Sequence, residues 1–136
     1  MKLAAVALVV RDYDEAISYF VDKLGFTLVE DTDWGNGKRW VRVALADGGS
    51  DLLLAKAISL GQRAAIGNAG GGRVCYFLHT NDFWASYRRL NAQGVAFSEE
   101  PRDEPYGWVV VFTDLYGNKW DLVGLTADAI SDREQA

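Results

Sequence analysis

The sequence predicts an α+β fold made of two tandem βαβββ modules. Three observations carry this reading. Short β-rich apolar runs alternate with two amphipathic helical stripes, each opened by a capping residue and closed by a glycine. That order occurs twice, on either side of a glycine-rich stretch at residues 67–73. Matching peptides also recur at an offset near half the chain, as a duplicated unit predicts: Leu24-Gly25-Phe26 with Gln93-Gly94-Val95, Arg39-Trp40-Val41 with Gly107-Trp108-Val109, and Asp51-Leu52 with Asp121-Leu122.

Taken in order, residues 3–10 (LAAVALVV) are apolar on both faces and read as a covered strand, with Leu3, Ala5, Ala7 and Val9 sharing one side. Asp12, followed three residues later by Glu15, starts a helix by satisfying its orphan backbone donors. Ala16, Ile17, Phe20, Val21 and Leu24 form its apolar stripe, and Gly25 stops it. Strands follow at 26–30, 40–45 and 51–55, with a polar loop at 31–37 and a turn at 47–50. Residues 58–66 suit a short helix. The first module is thus 1–66, the linker 67–73 and the second module 74–125, leaving a polar tail at 126–136 that is expected to fray. The second module opens on a strand at 74–78. Asn81 or Asp82 caps a helix carrying Phe83, Tyr87 and Leu90, which Gly94 ends. A strand at 95–99, a loop at 100–106 and strands at 108–113 and 119–123 complete it. Asp114-Leu115-Tyr116-Gly117-Asn118 joins the last two strands as a tight turn. Alternation puts Lys119, Asp121 and Val123 on one face and Trp120 and Leu122 on the other.

Composition bounds the function. The 136 residues are 49% apolar, enough for a real core. No apolar run reaches the ~20 residues of a membrane helix, and residues 1–10 lack a signal-peptide cleavage region, so no membrane role is expected. The net charge of −5 disfavours a nucleic-acid partner. One cysteine excludes an internal disulfide and fits a cytoplasmic location. The glycine run at 67–72 lacks the GK[ST] of a phosphate-binding loop.

Residues 104–123 (EPYGWVVVFTDLYGNKWDLV), the opening VALVVRDYDEAISYFVDKLGF and the tandem βαβββ order together resemble the vicinal oxygen chelate superfamily, the group of glyoxalase I, bleomycin-resistance proteins and extradiol dioxygenases. In that group the closing turn reads DPxGN and the next strand bears a metal-binding glutamate. Here the turn is DLYGN and Asp121 stands at the glutamate. The resemblance implies curved mixed sheets around a cup-shaped pocket, commonly completed by a partner, so a homodimer is expected. It also implies four inward metal-ligand positions, which fall on Ala5, Asp51, Cys75 and Asp121, with Leu52 as the alternative register to Asp51. Ala5 has no donor atom. Cys75 would suit only a soft metal, and a lone buried cysteine is more often a small core residue. Asp121 is a methylene shorter than glutamate, a loss of reach of about 1 Å where metal distances tolerate only ~0.2 Å. The expectation is therefore no cofactor and no complete metal centre. The alternative is a divalent ion held by Asp121, Cys75 and Asp51, serving a lyase, isomerase or dioxygenase.

Catalytic residues cannot be assigned from the sequence. His79, the only histidine, lies at a strand end beside a helix cap, an ordinary surface position. The aromatic inventory points instead to binding. Trp40, Arg42 and Ala44 share one strand face, and Trp108, Val110 and Phe112 share another. Each tryptophan either lines a pocket or packs sheet against helix. Tyr106, before the last hairpin, resembles a pocket-rim residue of the family. The expected ligand-binding set is Trp40, Arg42, Tyr106, Trp108, Phe112 and Asp121, with Arg42 as the anchor for any anionic group. Trp34, in the 31–37 loop, is a candidate lid or dimer contact. The expected function is binding of a small organic molecule in an aromatic-lined cup, similar to the antibiotic-sequestering members of the superfamily. The acidic net charge favours a planar or cationic guest.

Overall fold

A computed structural model of the chain describes residues 1–127, so residues 128–136 of the expected tail lie outside the described residues. The fold is α+β, and two compact units are distinguished, Met1–Ala69 and a second beginning at Gly70.

In the first unit β1 (Ala5–Val10) leads into α1 (Tyr13–Ser18), which continues as a π-helical turn, Tyr19–Lys23. Asp12 caps α1: its carboxylate accepts the Glu15 N–H at 2.8 Å. The wider turn is defined by the Leu24 N–H reaching back five residues to the Tyr19 carbonyl at 3.2 Å. Gly25, at φ +83°, then lets the Phe26 N–H close on the Phe20 carbonyl at 2.9 Å. Tyr19, Phe20, Leu24 and Phe26 are all buried as a result. Phe20 meets Tyr19 and Phe26 edge-on there, with ring centroids 5.4 and 5.6 Å apart.

Strands β2 (Thr27–Asp33), β3 (Arg39–Ala44) and β4 (Asp51–Lys56) complete a sheet of order β1-β4-β3-β2, in which only β1 and β4 run parallel. Alternation divides its residues cleanly. Leu8, Val10, Val41, Val43, Leu52 and Leu54 are buried on the side where α1 packs. Each such side chain contributes roughly 1.5–3 kcal/mol on burial. Val9, Trp40, Arg42, Leu53 and Ala55 point the other way and stay partly exposed. The expected helix at 58–66 is α2 (Leu60–Ala65), capped by the Ser59 hydroxyl, which accepts the Gln62 N–H at 3.1 Å. No residue of α2 is buried.

The second unit repeats the strand order: β5 (Val74–His79), α3 (Phe83–Ala92), β6 (Ala96–Phe97), β7 (Arg102–Glu104), β8 (Gly107–Thr113) and β9 (Lys119–Leu125). The sheet runs β5-β9-β8-β6, with β5 and β9 parallel and β7 pairing further along β8. Of the two residues read as possible caps of α3, Asp82 is the cap; its carboxylate accepts the Ala85 N–H at 3.1 Å. The strand expected at 95–99 is only two residues long, and the expected loop at 100–106 contains β7. Glu99 explains both differences. Its carboxylate accepts the Val111 N–H at 3.0 Å, taking a donor that a longer β6 would have paired, and Pro101 then breaks the ladder.

The closing turn is organised by Asp114, which is 6% exposed. One carboxylate oxygen accepts the N–H groups of Tyr116 at 2.9 Å and Asn118 at 3.1 Å. The other accepts the Asn118 side-chain amide at 3.0 Å and the Trp120 indole N–H at 2.9 Å. Gly117, at φ +97°, supplies the left-handed residue of the turn. Asp114→Ala should remove all four of these hydrogen bonds. It is expected to destabilise the protein by about 3 kcal/mol in urea unfolding, with an unchanged m-value.

Candidate functional site

A cleft of about 670 Å³ is lined entirely by the first unit. Its bed is the face of the sheet that α1 leaves uncovered, with Val9 from β1, Leu53 and Ala55 from β4 and Trp40 from β3. The hairpin tip at residues 34–38 forms one wall, and Ile58 with Gln62 of α2 also line the cleft. The tip is a tight loop. The Trp34 N–H donates to the Lys38 carbonyl at 2.8 Å, the Lys38 N–H to the Gly35 carbonyl at 3.0 Å, and the Gly35 N–H to the Asp33 carboxylate at 2.8 Å. This folds Trp34 back onto Trp40, their rings nearly parallel at 11° with centroids 5.0 Å apart. The two indoles are an aromatic wall beside an aliphatic floor, which is the composition of a small-molecule site.

Charged groups at the mouth are held in different ways. Arg39 donates to Asp31 through Nε and Nη2, at 3.1 and 2.7 Å, and to Asp14 through Nη1 at 2.9 Å. The Arg39 hydrogen bond holds the Asp31 carboxyl below its ordinary range and, reciprocally, raises the guanidinium. Arg39 also lies over the Tyr13 ring at 5.1 Å, and its backbone N–H donates to the Tyr13 hydroxyl at 3.2 Å. Lys38 holds its ammonium 5.5 Å from the centroid of Trp34.

The expected ligand-binding residues fall in both units, Trp40 and Arg42 in the first and Tyr106, Trp108, Phe112 and Asp121 in the second. Trp40 lines the cleft, whereas Arg42 does not. The Arg42 guanidinium bridges Glu30, at 2.9 Å, and Asp51 on the same sheet face, so it is no longer a free anion anchor. Trp108 and Phe112 lie on the side of the second sheet where α3 packs, opposite to Asp121. Trp108 contacts Phe83 and Trp84, while Phe112 contacts Phe97 and Trp120. The reason is register. Val41 faces Leu54, and Trp108 faces Gly124, at corresponding rungs of the two sheets. Trp108 therefore corresponds to Val41 rather than Trp40, and a shift of one residue changes the face. Tyr106 sits exposed in the turn between β7 and β8.

The positions that the resemblance assigned to a metal fare similarly. Asp51, not Leu52, is on the uncovered face, directly beside Ala5 on β1. Beside Asp121 on β5 stands Phe77, not Cys75. A register irregularity between Val74 and Tyr76 displaces Cys75, whose thiol donates to the Lys119 carbonyl at 3.8 Å. Burial, followed by the nearby Asp114 charge, pushes that thiol up and away from the thiolate a metal needs. A methyl group, a carboxylate committed to arginine and a phenyl ring do not fit a divalent ion. Among the described residues no group of three or more His, Cys, Asp or Glu side chains is gathered for one. Trp34 is recognisable from its loop, whereas Lys38, Lys56 and Gln62 carry no local signal, since the hairpin tip, β4 and α2 bring them to the cleft.

The comparisons with known proteins agree with this architecture. The family model described as Glyoxalase/Bleomycin resistance protein/Dioxygenase superfamily matches residues 2–122. An uncharacterized protein of Shewanella frigidimarina (strain NCIMB 400) is 51% identical over 122 residues, covering 88% of this chain and 90% of that one. Among solved structures, UcmS2 is 28% identical with a TM-score of 0.78, over 90% of this chain and 97% of its own. TnmS3, an antibiotic binding protein from Streptomyces sp. CB03234, is 26% identical with a TM-score of 0.75, over 93% and 97%.

Asp121 supplies the prediction. One of its carboxylate oxygens is buried without a hydrogen-bond partner. Desolvation is the main cause that raises its pKa; Glu99 adds to the rise and Arg102 opposes it. A folded-state pKa above the unfolded value means stability is greatest where Asp121 is protonated and falls as pH rises through the carboxylate range. Asp121→Asn should thus melt at a higher temperature than the parent at pH 7, and the gap should close on acidification, as followed by circular dichroism.

Proposed function

Because the chain belongs to the glyoxalase/bleomycin resistance protein/dioxygenase superfamily, we propose that it binds a small organic molecule in the cleft of its first unit, and that its task is binding rather than metal-dependent turnover. The observation that carries this reading is the stacked Trp34–Trp40 pair beside the aliphatic floor of Val9, Leu53 and Ala55. Flat, rigid indoles present large contact area with few torsions to immobilise, which favours tight capture of a planar guest. The likeness to TnmS3 supports an antibiotic-like guest, since that protein is itself an antibiotic binding protein.

The absence of a metal centre is part of the proposal. Ala5 has no donor, Asp51 is held by Arg42, and Phe77 stands where a second donor would face Asp121. A cytoplasmic homodimer completes the reading; a lone cysteine suits a reducing compartment.

Trp34 is 55% exposed, so its removal should leave folding intact. Trp34→Ala and Trp40→Ala are each expected to weaken binding of a planar aromatic guest about tenfold by isothermal titration calorimetry. A guest bound equally well by both variants would place the site elsewhere. Extensive chelation should leave the affinity of the parent unchanged. Loss of binding on chelation, restored by a divalent ion, would favour the metal-dependent alternative.

A further inference from the structure

We propose that the guest is an aromatic carboxylate, its ring against the Trp34–Trp40 pair and its negative group toward Lys38, with Lys56 adding positive charge to the same lining; this rests on the cleft being the binding site. The protein as a whole is acidic, with 19 Asp and Glu against 14 Lys and Arg. The cleft reverses that balance. Its lining contains Lys38, Arg39 and Lys56 and not one aspartate or glutamate.

Of these three cations, Arg39 is already neutralised by Asp31 and Asp14. Lys38 and Lys56 are the available ones: among the described residues neither has a carboxylate partner, and Lys38 rests on the face of Trp34 instead. An ammonium parked on an indole is only weakly satisfied, and it can turn to a carboxylate without breaking an ion pair. Gln62 adds to the same bias. Its side-chain oxygen is taken by the Ile58 N–H at 2.8 Å, which leaves its amide NH₂ as a donor at the cleft. The lining itself offers a cationic guest no carboxylate, so it opposes the guest that net charge alone suggests.

The test uses the full chain and three probes of one shape: naphthalene-2-carboxylate, naphthalene-2-carboxamide and a 2-naphthyl trimethylammonium salt. Isothermal titration calorimetry at low salt should show the carboxylate binding about tenfold tighter than the amide and the ammonium salt weakest. Raising the salt to about 0.5 M should remove most of that preference. The K38Q/K56Q double variant should bind the carboxylate and the amide equally. An amide or ammonium probe bound as tightly as the carboxylate would overturn the inference. So would a carboxylate preference that survives both high salt and K38Q/K56Q. In either case binding lost in Trp34→Ala would leave the cleft itself standing. If none of the probes binds in a way that depends on Trp34, the cleft reading fails and this inference fails with it.

Discussion

The register that aligns β1, β4 and β3 is the constraint on which the candidate site depends. Ala7 lies beside Leu53, Val9 beside Ala55, and Leu53 in turn opposite Arg42. Because side chains alternate strictly, one alignment sends six aliphatic residues beneath α1 and leaves the remainder of the sheet as a floor. A slip of one residue would bury Arg42 and Asp51 and expose Val41 and Leu54. Burial of an ion pair is far less favourable than burial of valine and leucine, so the core protects the register and the register lays the floor. The parallel β1–β4 pair requires a crossover, and α1 with its π-helical turn provides it on the covered side.

The two units use the same strand order for different ends. In the second, Phe83, Trp84, Tyr87, Phe97, Trp108, Phe112, Trp120 and Tyr76 form a continuous series of ring contacts. Its polar anchor is Asp114, which receives the Trp120 indole proton while shaping the closing turn. Tyr76 is buried enough to push its phenol up to about 12, so it stays neutral within this packing. Most of the aromatic content of the second unit is thus joined in one packed network. In the first unit one indole pair lies on the uncovered face.

Much of this was legible in the sequence. Apolar periodicity, the capping aspartates and the helix-ending glycines mark the element order, because each is a local signal. The closing turn was legible for the same reason. The site was only partly so. Trp40 and Trp108 look equivalent because each is the centre of a matching tripeptide, yet pairing with β4 and β9 offsets them by one rung. Such an offset depends on partners far away in the chain, and no local pattern reports it. Arg42 looks like a free anchor until the fold brings Glu30 and Asp51 to it. Cys75 looks aligned with Asp121 until an irregularity in β5 moves it. Lys38 and Lys56 become neighbours of one cleft only through the hairpin tip and β4.

That hairpin tip has a consequence for which residues it can carry. Gly35 and Gly37 have φ angles of +82° and +79°, and Asn36 is also left-handed at +56°. A Cβ atom added at either glycine would meet nothing within 4 Å. Backbone conformation alone, and not crowding, restricts these positions, and asparagine or aspartate tolerates that conformation. New polar groups can therefore be set at the mouth of the cleft without crowding a neighbour.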